Sequence, residues 1–195
     1  MSNWQTYNKN LTRYSDLGLT LDLSLMDIKK GFYAEMQPKI DRAFKDMIAV
    51  ESGAIANPDE ERMVGHYWLR DADLAPNDII KAQITEPIAA LKEFSDKVLH
   101  GKITPPSGGR FENLLVIGIG GSALGPQFVY HALGSDSKLT TYFFDNTDPA
   151  GIDTTLKQIG SGLNKTLVLV VSKSGGTAET RNGMLEAQEY FETNK

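Results

Sequence analysis

Apolar residues follow different periods in the two halves of the chain. In the first half they recur every three or four residues, which is typical of amphipathic helices. One predicted helix covers residues 29–50, and its apolar face consists of Ile40, Ala43, Phe44, Met47 and Ile48. We expect Pro38 to break or kink this helix. A second helix is predicted at residues 87–100, with Gly101 as its stop signal. The first half is therefore predicted to be mainly helical.

The second half contains continuous apolar runs instead, at residues 114–117, 140–144 and 167–171. Unbroken apolar runs predict strands that are buried on both faces, as in a parallel sheet covered by helices. Helices are predicted between and after these runs, at residues 125–134, 152–159 and 179–191. The buried stripe expected on the last helix consists of Met184, Leu185, Ala187 and Tyr190. This alternation predicts an α/β fold with a doubly wound parallel sheet and flanking helices.

Two prolines and two glycines mark a linker between the halves, in KITPPSGGR at residues 102–110. Because neither helices nor strands tolerate this mixture, we place the domain boundary there. The predicted organisation is an N-terminal helical region at residues 1–109 and an α/β domain at residues 110–195. The pattern of strands and helices is still in progress at Lys195, so we expect the α/β domain to be incomplete at its C-terminus.

Composition narrows the possible partners and the compartment. The chain has a net charge of −5 and no basic block, which argues against nucleic acid as a ligand. It has no cysteine, which excludes disulfides, thiol nucleophiles and thiolate metal sites. The N-terminus lacks the apolar core of a signal peptide, and no stretch approaches the length of a membrane span. We therefore expect a cytoplasmic protein that binds a small molecule and no membrane.

The first candidate binding loop follows the first predicted strand, in the sequence GIGGSALG. Gly118, Gly120 and Gly121 permit positive φ and close approach of a ligand to the backbone, and Ser122 adds a hydroxyl. The helix after the loop directs its N-terminal amides and positive dipole end toward the same place, which suits an anion. The alternative is a tight turn between strand and helix without a ligand.

A second loop of similar chemistry follows the third predicted strand, in the sequence SKSGGT. Its members are the hydroxyl residues Ser172, Ser174 and Thr177, the glycines Gly175 and Gly176, and the cation Lys173. Because ligands bind at the carboxyl ends of parallel strands, both loops are predicted to lie along the same edge of the sheet. The pair predicts a small phosphorylated ligand held between the two loops.

A dinucleotide is the main alternative ligand. Gly118-x-Gly120-x-x-Ala123 matches a relaxed dinucleotide fingerprint, and Asp145 ends the second predicted strand, where an acid would bind a ribose hydroxyl. This pattern by itself is weak and occurs often. The second loop favours a monophosphate, since a dinucleotide fold needs no second anion-binding loop after its third strand. An NAD-dependent oxidoreductase stays open as an alternative.

The two loops together carry a resemblance to a known family. VIGIGGSALGP at residues 116–126 and VVSKSGGTAET at residues 170–180 resemble the sugar-isomerase (SIS) fold of the phosphoglucose isomerase family, as does the earlier segment NPDEERMVGHYWLR. In that family the first motif presents a Gly-Ser pair to the substrate, which corresponds to Gly121 and Ser122. The second motif forms the sugar-phosphate loop, which corresponds to residues 172–177. Many relatives carry Ser-Lys-Thr-x-Thr-Thr there, so the glycines of this chain are expected to shift more of the contact to backbone amides.

The resemblance implies an aldose–ketose isomerase that interconverts glucose 6-phosphate and fructose 6-phosphate, with no cofactor and no metal. It also implies a homodimer for the full-length protein. The family's ring-opening histidine and proton-transferring glutamate lie beyond the matched region. No catalytic residue is therefore assigned in this chain, and the 195 residues alone are expected to be inactive. A non-catalytic sugar-phosphate sensor is a further alternative, although the helical region before the sheet favours the isomerase.

Two other polar segments have simpler interpretations. His66 lies in GHYWLR, and a histidine among aromatic residues is more often packed and hydrogen-bonded than catalytic. The cluster from Asp145 to Asp148 does not fit a calcium-binding loop, because Pro149 and Ala150 stand where a ligand and a glycine are needed. We expect this cluster to cap a strand end or the following helix.

Overall fold

The computed structural model describes residues 3–194, and the chain divides into two compact units, Met1–Thr85 and Glu86–Lys195. The division falls within the helix Asp78–Leu99. No helix among residues 3–194 is long and apolar enough to cross a membrane. The elements before the parallel sheet are α1 (Asn3–Asn10), β1 (Leu11–Tyr14), β2 (Leu19–Asp22), α2 (Phe32–Glu51), β3 (Ile55–Asn57), β4 (Arg62–Met63) and α3 (Asp78–Leu99).

Two short hairpins accompany the helices of the first unit, and the sequence analysis missed both. β1 pairs with β2 in antiparallel fashion, with Tyr14 opposite Leu19, and β3 pairs with β4 in the same way. The turn of the first hairpin ends at Gly18, whose φ of 60° lies in the left-handed region that glycine adopts without strain. Gly18 was the available signal, because it stands directly before the alternating residues of β2.

Prolines do not interrupt the two long helices. The break predicted at Pro38 does not occur, because α2 is continuous across it, and α3 likewise continues through Pro87 and begins at Asp78. Proline cannot donate the backbone hydrogen bond to the carbonyl four residues earlier. The apolar residues on both sides of each proline nevertheless keep the same helical spacing, and the helix continues. The predicted stop at Gly101 is confirmed: its φ is 69°, and its amide donates to the carbonyl of Val98 at 3.1 Å.

The second unit contains the parallel three-stranded sheet that the apolar runs predict. Its strands lie in the order β6-β5-β7, and Ile117 at the end of β5 is the direct partner of both Phe144 and Val170. Each strand agrees with its predicted range to within one residue. The elements are β5 (Asn113–Ile117), α4 (Gly121–Leu133), β6 (Thr140–Phe144), α5 (Pro149–Ile159), β7 (Thr166–Val170) and α6 (Ala178–Thr193).

The core of this unit lies between the sheet and the helices α5 and α6. Its buried members are Leu115, Ile117, Phe144, Leu156, Ile159, Leu163 and Ala187. The stripe that α6 buries is Thr180, Gly183 and Ala187, with Tyr190 partly buried, whereas Met184 and Leu185 are exposed and were wrongly predicted. The reason is the close approach of α6 to β5: a Cβ on Gly183 would lie 3.1 Å from Cγ2 of Ile117.

Helix α4 begins four residues earlier than predicted, at Gly121, so Pro126 lies inside the helix rather than near its start. Ala123 is its buried residue, while Leu124, Phe128, Val129 and Leu133 are exposed. Leu114 and Val116 of β5 face a cavity of about 420 Å³ that α4 also lines, through Val129, Tyr130 and Leu133 among others. Apolar packing therefore holds α4 less firmly than it holds α5 and α6.

Replacing Leu115 tests whether β5 is the centre of this core. Leu115 is fully buried in the middle strand, so Leu115→Ala is expected to lower the free energy of unfolding by about 2–5 kcal/mol. Leu124→Ala is the matched control, because Leu124 is 63% exposed and its loss is expected to change stability by less than about 0.5 kcal/mol. Urea denaturation of both variants measures the difference. Equal effects would contradict the assignment of the core.

Candidate functional site

The strand order places the two candidate loops side by side. In chain order the strands are arranged second, first, third, so β5 lies between β6 and β7. The helix after β5 borders the face of the sheet that carries Leu114 and Val116, whereas the helix after β7 packs on the opposite face. The connections that leave these two strands therefore diverge, and open α/β sheets bind ligands in the crevice at the carboxyl ends of such strands. Ile117 and Val170 end the two strands as direct partners, and adjacent strands lie about 4.8 Å apart.

Glycine conformations shape the first loop. A Cβ on Gly118 would lie 2.9 Å from Cβ of Ser122, so only glycine fits beneath the first turn of α4. Gly120 directly precedes α4 with φ 57° and ψ −124°, a backbone conformation that is nearly confined to glycine. Its carbonyl accepts hydrogen bonds from the amides of Ala123 and Leu124, at 3.0 and 2.8 Å. Gly121 is exposed and Ser122 is half-buried, so the predicted Gly-Ser pair forms the start of the helix.

Serine hydroxyls shape the second loop. Oγ of Ser172 accepts a hydrogen bond from the amide of Gly175 at 3.0 Å, and Oγ of Ser174 accepts one from the amide of Gly176 at 3.2 Å. The left-handed conformation of Gly175, with φ 71°, closes the turn. That these amides face a ligand stays a prediction.

The second loop ends at Thr177, which is half-buried and precedes α6. Its hydroxyl does not cap the helix, although its carbonyl accepts from the amide of Arg181 at 3.1 Å. Lys173 is exposed and adds a positive charge to the same loop. Both loops thus lead into helix N-termini and contain hydroxyls but no aspartate, glutamate or histidine. This arrangement suits the binding of an anion rather than the transfer of a proton.

A third loop follows β6 and is held by hydrogen bonds between side chains. Oδ2 of Asp148 accepts from the amide of Gly151 at 2.9 Å, which confirms the prediction that this cluster caps the following helix. The Asp145 carboxylate accepts from Nε2 of Gln127 and from Nδ2 of Asn146, both at 2.8 Å. Sequence reasoning missed Gln127, because nothing in a helical sequence indicates a partner eighteen positions along the chain.

His66 belongs to the first unit and does not lie in a buried aromatic cluster. It is exposed, and its ring lies against that of Tyr67 with 4.0 Å between centroids. The neighbouring Trp68 is the buried residue of this segment, and its Nε1 donates to the carbonyl of Glu51 at 2.9 Å. The tight packing expected of His66 is therefore found at Trp68 instead.

Comparisons with known proteins agree with the motifs. The sequence profile described as phosphoglucose isomerase matches residues 30–195. Glucose-6-phosphate isomerases of Geotalea daltonii and Rippkaea orientalis are 53% and 55% identical to the chain over 190 residues, which is 97% of the chain and 36% of each relative. That of Synechococcus elongatus is 54% identical over 189 residues, 96% of the chain and 36% of the relative. The chain thus spans little more than a third of the length of these relatives, and it belongs to the phosphoglucose isomerase family.

Proposed function

We propose that this chain forms the sugar-phosphate-binding part of an isomerase that interconverts glucose 6-phosphate and fructose 6-phosphate. In this proposal the parallel sheet is the core of a doubly wound SIS-type domain, and the phosphate lies between the loops at residues 118–122 and 172–177. The relatives that carry the name glucose-6-phosphate isomerase support the reaction, since they match nearly the whole chain. The binding contacts are assigned to Gly121, Ser122 and the loop from Ser172 to Thr177.

The observation that carries the proposal is the adjacency of the two loops at the carboxyl ends of β5 and β7. A monophosphate needs several donors within a small volume, and two helix N-termini with flanking hydroxyls supply them. Lys173 adds a charge on one side, without the broad positive surface that a polyanion requires.

Two observations disfavour the alternative of a nicotinamide-dependent oxidoreductase. The dinucleotide-binding half-domain has the strand order third, second, first, whereas these strands are ordered second, first, third. The second observation is that Gln127 and Asn146 already donate to the Asp145 carboxylate, so a ribose hydroxyl would have to share its oxygens with these two donors. A non-catalytic sugar-phosphate sensor would use the same loops, and the identity to named isomerases favours the enzyme.

Titration with two ligands separates these functions. The 195-residue chain is expected to bind fructose 6-phosphate saturably and to show no saturable response to NAD in isothermal calorimetry. Inorganic phosphate is the control for a nonspecific anion effect, and it is expected to compete with the sugar phosphate only weakly. Binding of NAD without a response to fructose 6-phosphate would overturn the proposal in favour of the oxidoreductase.

Removing the Thr177 hydroxyl tests the second loop. Because this hydroxyl does not cap α6, Thr177→Ala is expected to leave stability nearly unchanged while raising the Kd for fructose 6-phosphate about tenfold, the effect of losing one hydrogen bond to a charged group. Thr154→Ala in α5 is the matched control, because that exposed hydroxyl donates to the carbonyl of Ala150 and lies in neither loop. Identical affinities in the two variants would contradict the role of Thr177.

A further inference from the structure

Helix α4 buries one residue, Ala123, whereas α5 buries two and α6 buries three. Its exposed apolar residues include Phe128 at 75% and Leu133 at 77%, and the helix and the sheet together line an open groove of about 420 Å³. A small movement of the helix along its axis would carry Gly121 and Ser122 with it. Any contact that fixes α4 along its axis therefore also fixes these two residues.

One side-chain hydrogen bond fixes the middle of α4 at the carboxyl edge of the sheet. Nε2 of Gln127 in α4 donates to Oδ2 of Asp145, directly after β6, at 2.8 Å, and both side chains are half-buried. A hydrogen bond to an ionised carboxylate is about twice as strong as one between neutral groups. In the last turn of α4 the hydroxyl of Tyr130 accepts from the amide of Thr141 at 3.3 Å, which is a longer contact.

The carboxylate is itself held in place by a second set of bonds. Nδ2 of Asn146 donates to Oδ1 of Asp145 at 2.8 Å, and Oδ1 of Asn146 accepts from the amide of Asp148 at 2.8 Å. Asp148 in turn caps α5. The middle of α4 is thus linked through the side chains of Asp145, Asn146 and Asp148 to the start of the next helix, along the same edge that carries the candidate loops.

We propose that Gln127 and Asp145 are positioning residues, whose hydrogen bond holds the first turn of α4 so that Gly121 and Ser122 meet the ligand. Neither residue has to touch the ligand for this role. The proposal rests on the proposed function for the identity of the ligand, and on the hydrogen bonds described above for the positioning itself.

A reciprocal exchange of the two side chains tests the proposal. Gln127→Glu places two carboxylates within hydrogen-bonding distance, where their repulsion breaks the contact. The double variant Gln127→Glu with Asp145→Asn restores it with donor and acceptor reversed, and the amide oxygen introduced at position 145 still accepts from Asn146. We expect the single variant to raise the Kd for fructose 6-phosphate about fivefold to tenfold, and the double variant to return it to within about twofold of the original value.

A second amide–carboxylate pair provides the matched control. Nε2 of Gln188 donates to Oε1 of Glu192 at 3.0 Å within α6, on an exposed surface. Gln188→Glu introduces the same charge against a carboxylate and is expected to leave ligand affinity unchanged. If both glutamine variants weaken binding equally, the added negative charge and not the position of α4 is responsible, and the proposal is overturned.

Amide hydrogen exchange gives a readout that needs no ligand. The amides of Ser122, Ala123 and Leu124 donate to the carbonyls of Ile119 and Gly120 in the first turn of α4. Their exchange is expected to accelerate in Gln127→Glu and to recover in the double variant. A wild-type chain that binds no fructose 6-phosphate but shows this exchange pattern would refute the proposed ligand while supporting the positioning role. Unchanged exchange and unchanged affinity in Gln127→Glu would overturn the positioning role.

Discussion

Gly120→Ala is expected to weaken the binding of fructose 6-phosphate by about 5-fold to 150-fold. Gly120 adopts φ 57° and ψ −124° directly before α4, and a residue with a side chain pays about 1–3 kcal/mol to hold such a conformation. If the loop of the free variant relaxes to an unstrained conformation, ligand binding has to restore the strained one. The strain energy is then lost from the free energy of binding. If the loop does not relax, the new methyl group projects into open space beside Gly121, where a ligand would approach.

The same unit contains a control for the backbone effect. Gly160, at the C-terminal end of α5, has φ 52° and ψ −128°, and a Cβ there would also meet nothing within 4 Å. Because α5 leads from the carboxyl end of β6 to the start of β7, Gly160 lies at the opposite edge of the sheet from the loops. Gly160→Ala is expected to lower the free energy of unfolding by about 1–3 kcal/mol and to leave the Kd unchanged.

Calorimetric titration and thermal unfolding of both glycine variants measure these two effects separately. The expected pattern is a raised Kd in Gly120→Ala alone, together with a loss of stability in Gly160→Ala. An unchanged Kd in Gly120→Ala would show that the first loop is only a turn between β5 and α4, which is the interpretation that the sequence left open.

The strands were the most predictable part of this fold. Residues 113–117 are buried or half-buried along the whole strand. A strand that is buried on both faces has a continuous apolar sequence, which is why this element could be predicted. The order of the strands in the sheet was not predictable from the sequence. The same three apolar runs are compatible with the order third, second, first and with the order second, first, third. That order decides which two loops are neighbours, and it depends on contacts between residues far apart in the chain.

Errors in the predicted helices have two different physical origins. The predictions treated proline as a helix start or break, yet Pro38, Pro87 and Pro126 all lie inside helices whose other residues keep the helical period. The buried stripe of α6 was missed for the opposite reason. Gly183 is buried because it is small, since its absent side chain lets α6 approach Ile117, and a search for large apolar residues cannot detect such a position.

The candidate site was predictable in its residue types but not in its hydrogen bonds. Both loops have glycines and hydroxyl residues directly after a strand. That combination is typical of anion-binding loops, so the residue types alone indicate the loops. That Ser172 and Ser174 each accept a hydrogen bond from a glycine amide depends on side-chain rotamers, which the sequence does not specify. The contact between Gln127 and Asp145 further requires the position of α4 relative to β6.

The largest effect is expected for catalysis: the 195-residue chain alone should bind fructose 6-phosphate and not convert it to glucose 6-phosphate at a measurable rate. Moving a proton between neighbouring carbons requires a base within hydrogen-bonding reach of that proton. Neither loop contains a carboxylate or an imidazole. Positioning by the loops lowers part of the barrier, but it supplies no acceptor for the proton.

A coupled assay that follows glucose 6-phosphate formation measures this expectation, with the chain produced in a host that lacks its own isomerase. The glucose-6-phosphate isomerase of Geotalea daltonii serves as the positive control, and the chain is expected to be at least about 10⁴-fold slower, which is the upper range of general acid–base catalysis. Turnover close to that of the control would mean that a residue of this chain transfers the proton. His66→Ala would then be the first variant to assay, since His66 is an exposed imidazole.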